Sequence, residues 1–232
     1  MNRRATNRRI PIYLAVLGLA LVPSTVRADQ TSTFVNGTGL WSNPASWSPA
    51  GVPNNSGTAY DVVFNGADGV DTLKLDENIT INQYTMSGGL LTWKTSGTAF
   101  TLTLDDALNW SGGTFGGANV LATQGGNIAA TSTCIVGSGT LTNQGTITYT
   151  ATFNSTPDNQ LPLRLDSSGA IVNNAGATFN IAGDGGISVT SSTAHFDNNG
   201  LFEKTAGTGT SIIESAFNDT GTVSIQSGTL QF

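Results

Sequence analysis

The chain has 232 residues and a mass of 23.8 kDa, with 10% charged residues and a formal net charge of −6. An average soluble domain carries roughly 25% charged residues; here Thr, Ser, Asn and Gly fill the difference, and the low charge argues against a solvated disordered tail. A lone cysteine, Cys134, excludes an internal disulfide.

The first 28 residues, MNRRATNRRIPIYLAVLGLALVPSTVRA, read as a secretory signal. Arg3, Arg4, Arg8 and Arg9 form a basic start, Ile10 to Val22 an apolar core, and Val26-Arg27-Ala28 a cleavage site before Asp29. "RRIPI" departs from a twin-arginine address, so the general export route is expected. No later run is apolar enough to span a bilayer. Removing the leader leaves four basic against fifteen acidic residues, a net charge of −11. Such a chain is repelled by nucleic acid and by anionic lipid, and both are excluded as partners. No membrane insertion is expected once the signal is removed.

Next comes "GLWSNPASWSPAGVPNNSGTAYDVVF", 39–64, with Trp41 and Trp47 six residues apart. Flat indole faces stack on sugar rings, so Trp41 and Trp47, with Trp93 and Trp110 later, are candidates for a ligand shelf. The competing reading makes them a plug: a first coil with nothing stacked before it needs bulky apolar cover, and the Gly- and Pro-rich loop around them suits a cap. In "NGADGVD", Asp68 and Asp71 lie in a glycine-containing turn and are candidate oxygen donors to Ca²⁺. The spacing is not that of an EF-hand or of calcium-binding nonapeptides, and turn aspartates usually bond their own backbone.

Beyond this region strand signals recur without helix signals. "TLTL" at Thr101 to Leu104, "GTITYTATF" at Gly145 to Phe153, "ATFNI" at Ala177 to Ile181 and "GTVSI" at Gly221 to Ile225 alternate apolar and polar residues with period two. "NQGTITY", "NNAGATFNI", "NNGLFEK" and "NDTGTVSI" share a frame in which asparagine shortly precedes a glycine that opens a strand. The glycines are Gly145, Gly176, Gly200 and Gly221, spaced by 31, 24 and 21 residues. "SGTL" occurs at Ser138 and Ser227, with relatives at Ser87 and Ser111. A period in the twenties with one strand-turn unit per copy marks a solenoid.

The fold expected is therefore all-β: a right-handed parallel β-helix with an N-terminal Trp-rich cap. The alternative is a β-sandwich, which favours turns every 8–12 residues. Asn-Gly corners are expected to use the left-handed backbone, and aligned asparagines and threonines to hydrogen-bond along the stack. Residues 29–87 read as cap and first coils, and 88–232 as repeats. The chain stops on a strand at "VSIQSGTLQF", so coils continuing past Phe232, or a cover over that end, are expected.

The W41-x5-W47-x5-P53 pattern, the "DVVF" after it and "TLKLDENITINQYTMSGG" together resemble the opening module of large bacterial surface proteins with autotransporter-like β-helical repeats. "NNGLFEKTAGTGTSIIESAFNDTGTVSIQSGTL" is similar to their recurring coil. The resemblance covers most of 34–232. It implies an adhesin- or hemagglutinin-like passenger segment, secreted or held at the cell surface, with surface polysaccharide or a second copy as partner.

Catalytic candidates are sparse. Asp105 with Asp106, and Asp158 with Asp166, offer carboxylate pairs of the kind glycoside hydrolysis needs, and Arg164 is flanked by acids. Solvated turn carboxylates are the plainer reading. His195 has no serine or cysteine constellation around it, and Cys134 alternates into an apolar strand as a buried small hydrophobe. No catalytic residue is assigned and no cofactor is expected beyond Ca²⁺ at the Asp68/Asp71 turn. A non-enzymatic structural or adhesive segment is the function expected; a polysaccharide-degrading enzyme or a carbohydrate-binding module is the alternative.

Overall fold

The computed structural model describes residues 29–35, 37–67, 70–93, 99–151 and 162–232. The leader at 1–28, Asp68, Phe153 and Asp158 lie outside the described residues.

Alternating side chains make short strands, and the strands sort into three parallel sheets. The first sheet takes Asp29–Phe34, Ala59–Asn65, Gln83–Gly88, Leu108–Trp110, Gly125–Ala130, Thr146–Ala151, Thr178–Ala182, Leu201–Ala206 and Thr222–Ile225. The second runs from Thr38–Leu40 to Ile187–Val189, and the third from Ile79–Ile81 to Ala216–Asp219. From Ala59 onward the chain visits the three in rotation, so each strand pairs in parallel with the third one after it. A smaller sheet, Thr210–Ile212 with Thr229–Gln231, takes the place of the second sheet at the end, joined to it by a bridge between Ile187 and Ile213. The single antiparallel pairing among the described residues sets Thr33 and Phe34 against Ser48 and Trp47. Antiparallel hairpins, which a sandwich requires, are otherwise replaced by parallel rungs.

Register makes like residues superpose. In the first sheet Val62, Tyr84, Leu108, Gly126, Ile147, Phe179, Phe202 and Val223 form one row. In the third, Ile79, Leu102, Val120, Leu141, Ile171, Phe196 and Phe217 form another. Apart from Gly126, these rows and the inward residues of the second sheet belong to, or pack against, one apolar cluster reaching from Phe34 to Leu230.

The expected strands are all present: Thr101–Leu104 as read, and Thr146–Ala151, Thr178–Ala182 and Thr222–Ile225 within a residue or two. The role expected of the corner residues needs correction. Asn143, Asn173 and Asn198 end strands and point inward, fully buried; among the described residues only Ser167 is a non-glycine with positive φ. Of the four frame glycines, only Gly176 has a left-handed backbone, at φ +83°. Gly145, Gly200 and Gly221 are required for another reason: a Cβ on any of them would overlap backbone of the coil beneath, at Gln124, Ala177 and Gly200 respectively.

The start of the stack is filled by aromatic rings. Trp41 and Trp47 are both buried, 4.8 Å apart at 61°, and Trp41 lies 6.2 Å from Tyr84. Trp41 Nε1 donates to the Pro53 carbonyl at 2.9 Å and Trp47 Nε1 to the Trp41 carbonyl at 2.8 Å. Replacing Trp41 with alanine therefore empties a packed site and is expected to cost about 3–5 kcal/mol, lowering the melting temperature by roughly 10 °C. Thermal unfolding checks this; a loss below about 1 kcal/mol would show that the ring is no plug.

Candidate functional site

The most conspicuous polar structure is an internal row where the third sheet turns into the first. Ile81, Leu104 and Ala122 occupy its early rungs, and Asn143, Asn173, Asn198 and Asp219 the later ones. Each asparagine donates Nδ2–H to the oxygen of the next: Asn143 to Asn173 at 2.9 Å, Asn173 to Asn198 at 2.8 Å, Asn198 to Asp219 at 2.7 Å. The second amide hydrogen reaches a backbone carbonyl past the corner, Thr178 from Asn143 at 2.8 Å and Leu201 from Asn173 at 3.0 Å. Buried amides are tolerable only when bonded in this way.

Outside this row the corner carries a groove of about 600 Å³, floored by Gly176, Gly200 and Gly221 and lined by Thr178, Asn199, Leu201, Thr220 and Thr222. Its walls offer hydroxyls, an amide and the aliphatic side chains of Ala177 and Leu201, and no ionisable group lines it.

The residues singled out from the sequence are not gathered here. Trp41 and Trp47 are at the opposite end, and neither ring presents a free face. Trp110 is likewise buried, with Nε1 donating to the Gly112 carbonyl at 3.0 Å. Asp71 is buried, and its two oxygens accept the backbone N–H groups of Gly37 and of Ala67, the latter at 2.6 Å. Among the described residues no cluster of three or more metal-binding side chains occurs.

Arg164 and Asp166 form a two-pronged pair at 2.7 and 2.8 Å, and Thr190 Oγ1 adds a hydrogen bond to Asp166 at 2.8 Å. Asp105 accepts from Asn55 at 3.1 Å and Asp106 from Gln83 at 3.4 Å. His195 Nδ1 lies 3.0 Å from the Thr193 carbonyl, and its Nε2 3.6 Å from Asp197. Cys134 is buried in the second sheet. Burial pushes the Tyr84 and Tyr149 phenols far up, removing both from proton transfer near neutrality.

Sequence reasoning missed Lys204, which is fully buried and bonded to Asp184 at 2.9 Å. The signal was present: in "LFEK" the period-two alternation sets Lys204 on the same face as Phe202.

No protein-family model matches the chain, and no curated protein or solved structure shows significant similarity to it.

The asparagine row makes a sharp expectation. Asn173→Ala removes the acceptor of Asn143 and the donor to Asn198 inside the stack, and is expected to cost about 2–4 kcal/mol. Asn199→Ala, at the exposed residue that follows Asn198, is expected to stay within about 0.5 kcal/mol. Denaturant unfolding of the two variants checks the contrast.

Proposed function

We propose that this chain is a non-enzymatic, extracellular structural or adhesive segment of a bacterial surface protein, folded as a right-handed parallel β-helix. One observation carries the reading: the acidic side chains that an enzyme would use are engaged as ties between rungs. Asp61 accepts from Asn82 at 3.0 Å, Asp76 from Ser42 at 2.6 Å, Asp197 from Asn218 at 2.7 Å, Glu203 from Gln226 at 3.1 Å, and Asp105 and Asp106 from the residues given above. Function then resides in a stiff stacked body and in its loops, exported by the N-terminal leader and presenting a surface to polysaccharide or to a second copy.

A carbohydrate-binding module is the second reading, and the corner groove favours it, since hydroxyls and an amide around a small aliphatic surface suit a neutral sugar. One experiment addresses both. Purified protein is incubated with a panel of neutral and acidic polysaccharides, and both retained polysaccharide and newly released sugar are measured. The structural reading predicts no release. Release of sugar ends it in favour of an enzyme. Retention that disappears in Thr222→Arg, with the melting temperature unchanged, assigns binding to the groove and favours the module.

A further inference from the structure

Lys204 sits where the fold otherwise places an apolar side chain. Its row in the first sheet runs Phe64, Met86, Trp110, Ile128, Tyr149, Ile181, Lys204, Ile225. The lysine side chain is wholly buried, and Nζ donates to the Gly183 carbonyl, to Asp184 Oδ1 at 2.9 Å and to the Ala206 carbonyl at 2.9 Å. An ammonium has three donors, and all three are engaged. Asp184 Oδ1 also accepts the Gly209 N–H at 3.0 Å, so one carboxylate oxygen joins its own turn to the ammonium and to the turn of the next coil. Gly207 and Gly209 make room for it, because a Cβ on Gly207 would overlap Asp184 and one on Gly209 would press it at 3.0 Å.

Among the described residues Asp184 is the only counter-charge at this position. Thr178–Ala182, Thr222–Ile225 and Thr229–Gln231, packed around the lysine, carry no ionisable side chain. Glu203 alternates to the other face of the sheet and takes Gln226, while Glu214, beyond Thr210–Ile212, is exposed. The Asp184 side chain is itself 40% exposed, so protons reach it directly.

We propose that the Lys204–Asp184 pair is an acid-release latch for the C-terminal coils: when Asp184 loses its charge, the ammonium stays buried among carbonyl oxygens without a counter-charge, and residues 201–232 open while the coils before them remain folded. Removing one partner of a buried pair leaves an uncompensated charge, whereas replacing the cation with an apolar side chain of similar volume does not. The pair ties the Asp184 turn to the turn at Gly209, so its loss frees the coil that carries Lys204 from the one before it.

The sign follows from the partner. The hydrogen bond from Lys204 holds the Asp184 carboxyl below its ordinary value. Its stabilisation is complete above the unfolded-state value and is lost as pH falls through the lower folded-state value, which places release below about pH 4.

Pepsin nicking read by mass spectrometry tests this at about pH 4, near the ordinary aspartate value, and at about pH 2, well below it. At the lower pH the whole chain is expected to be cut first within 201–232, at Phe202 or Phe217, about tenfold faster than Lys204→Met, which has no buried cation. Asp184→Asn, already without the counter-charge, is expected to be cut in the same segment at both values. Equal nicking of the parent and Lys204→Met at low pH overturns the latch. So does an Asp184→Asn variant that resists at the higher pH and yields only at the lower.

Discussion

Parallel rungs lie about 4.8 Å apart, and where backbone crosses backbone at a corner that spacing leaves no room for a side chain. This constraint explains more of the sequence than any other. Gly145, Gly200 and Gly221 mark places where a Cβ would enter the coil below. Their recurrence sets the period, and the period brings Ile147, Phe179, Phe202 and Val223 into one row. With the corners closely stacked, the inward residues of the three parallel sheets join one apolar cluster. Hydrophobic burial supplies the driving force; the glycines decide that it is satisfied by stacking.

Polar groups inside such a core specify where each rung sits. A slip of one residue turns every inward side chain outward, which in the later coils would strip Asn143, Asn173 and Asn198 of their partners at once. The early rungs of the same row, Ile81, Leu104 and Ala122, are apolar. Lys204 extends the same logic to a charge. Its ammonium holds three oxygens from two successive turns, and it exchanges apolar burial for a defined position.

Much of this was legible. Period-two alternation located the strands, the glycine interval matched the spacing of stacked parallel strands, and the aligned asparagines pointed to hydrogen bonds along the stack. The sequence did not show which way those asparagines face. "NQG" and "NNG" look like turns that need a left-handed backbone, whereas the structure ends the strand on the asparagine and turns after it. Local turn chemistry and burial compete at such a site, and the interior partner on the next coil wins. The tryptophans were ambiguous for a related reason: a ring face that could hold a sugar is equally able to pack in a core, and the sequence does not show that Phe34, Tyr84 and the Pro53 carbonyl lie against these two rings. The corner groove was not visible because it is made from three segments more than twenty residues apart.

The central claim, that the chain climbs one rung per circuit, is tested most directly by distances between spin labels along the outward row of the first sheet. Thr85, Asn109, Asn127, Thr148, Asn180, Glu203 and Ser224 form that row. With Cys134 replaced by alanine, label pairs at Thr85→Cys with Glu203→Cys and at Thr85→Cys with Ser224→Cys are predicted to lie about 24 Å and about 29 Å apart, a step of one strand spacing. Separations that fail to grow by a rung between the two pairs, or that place Thr85 and Ser224 within about 15 Å, fewer than four strand spacings, would contradict the stacked arrangement.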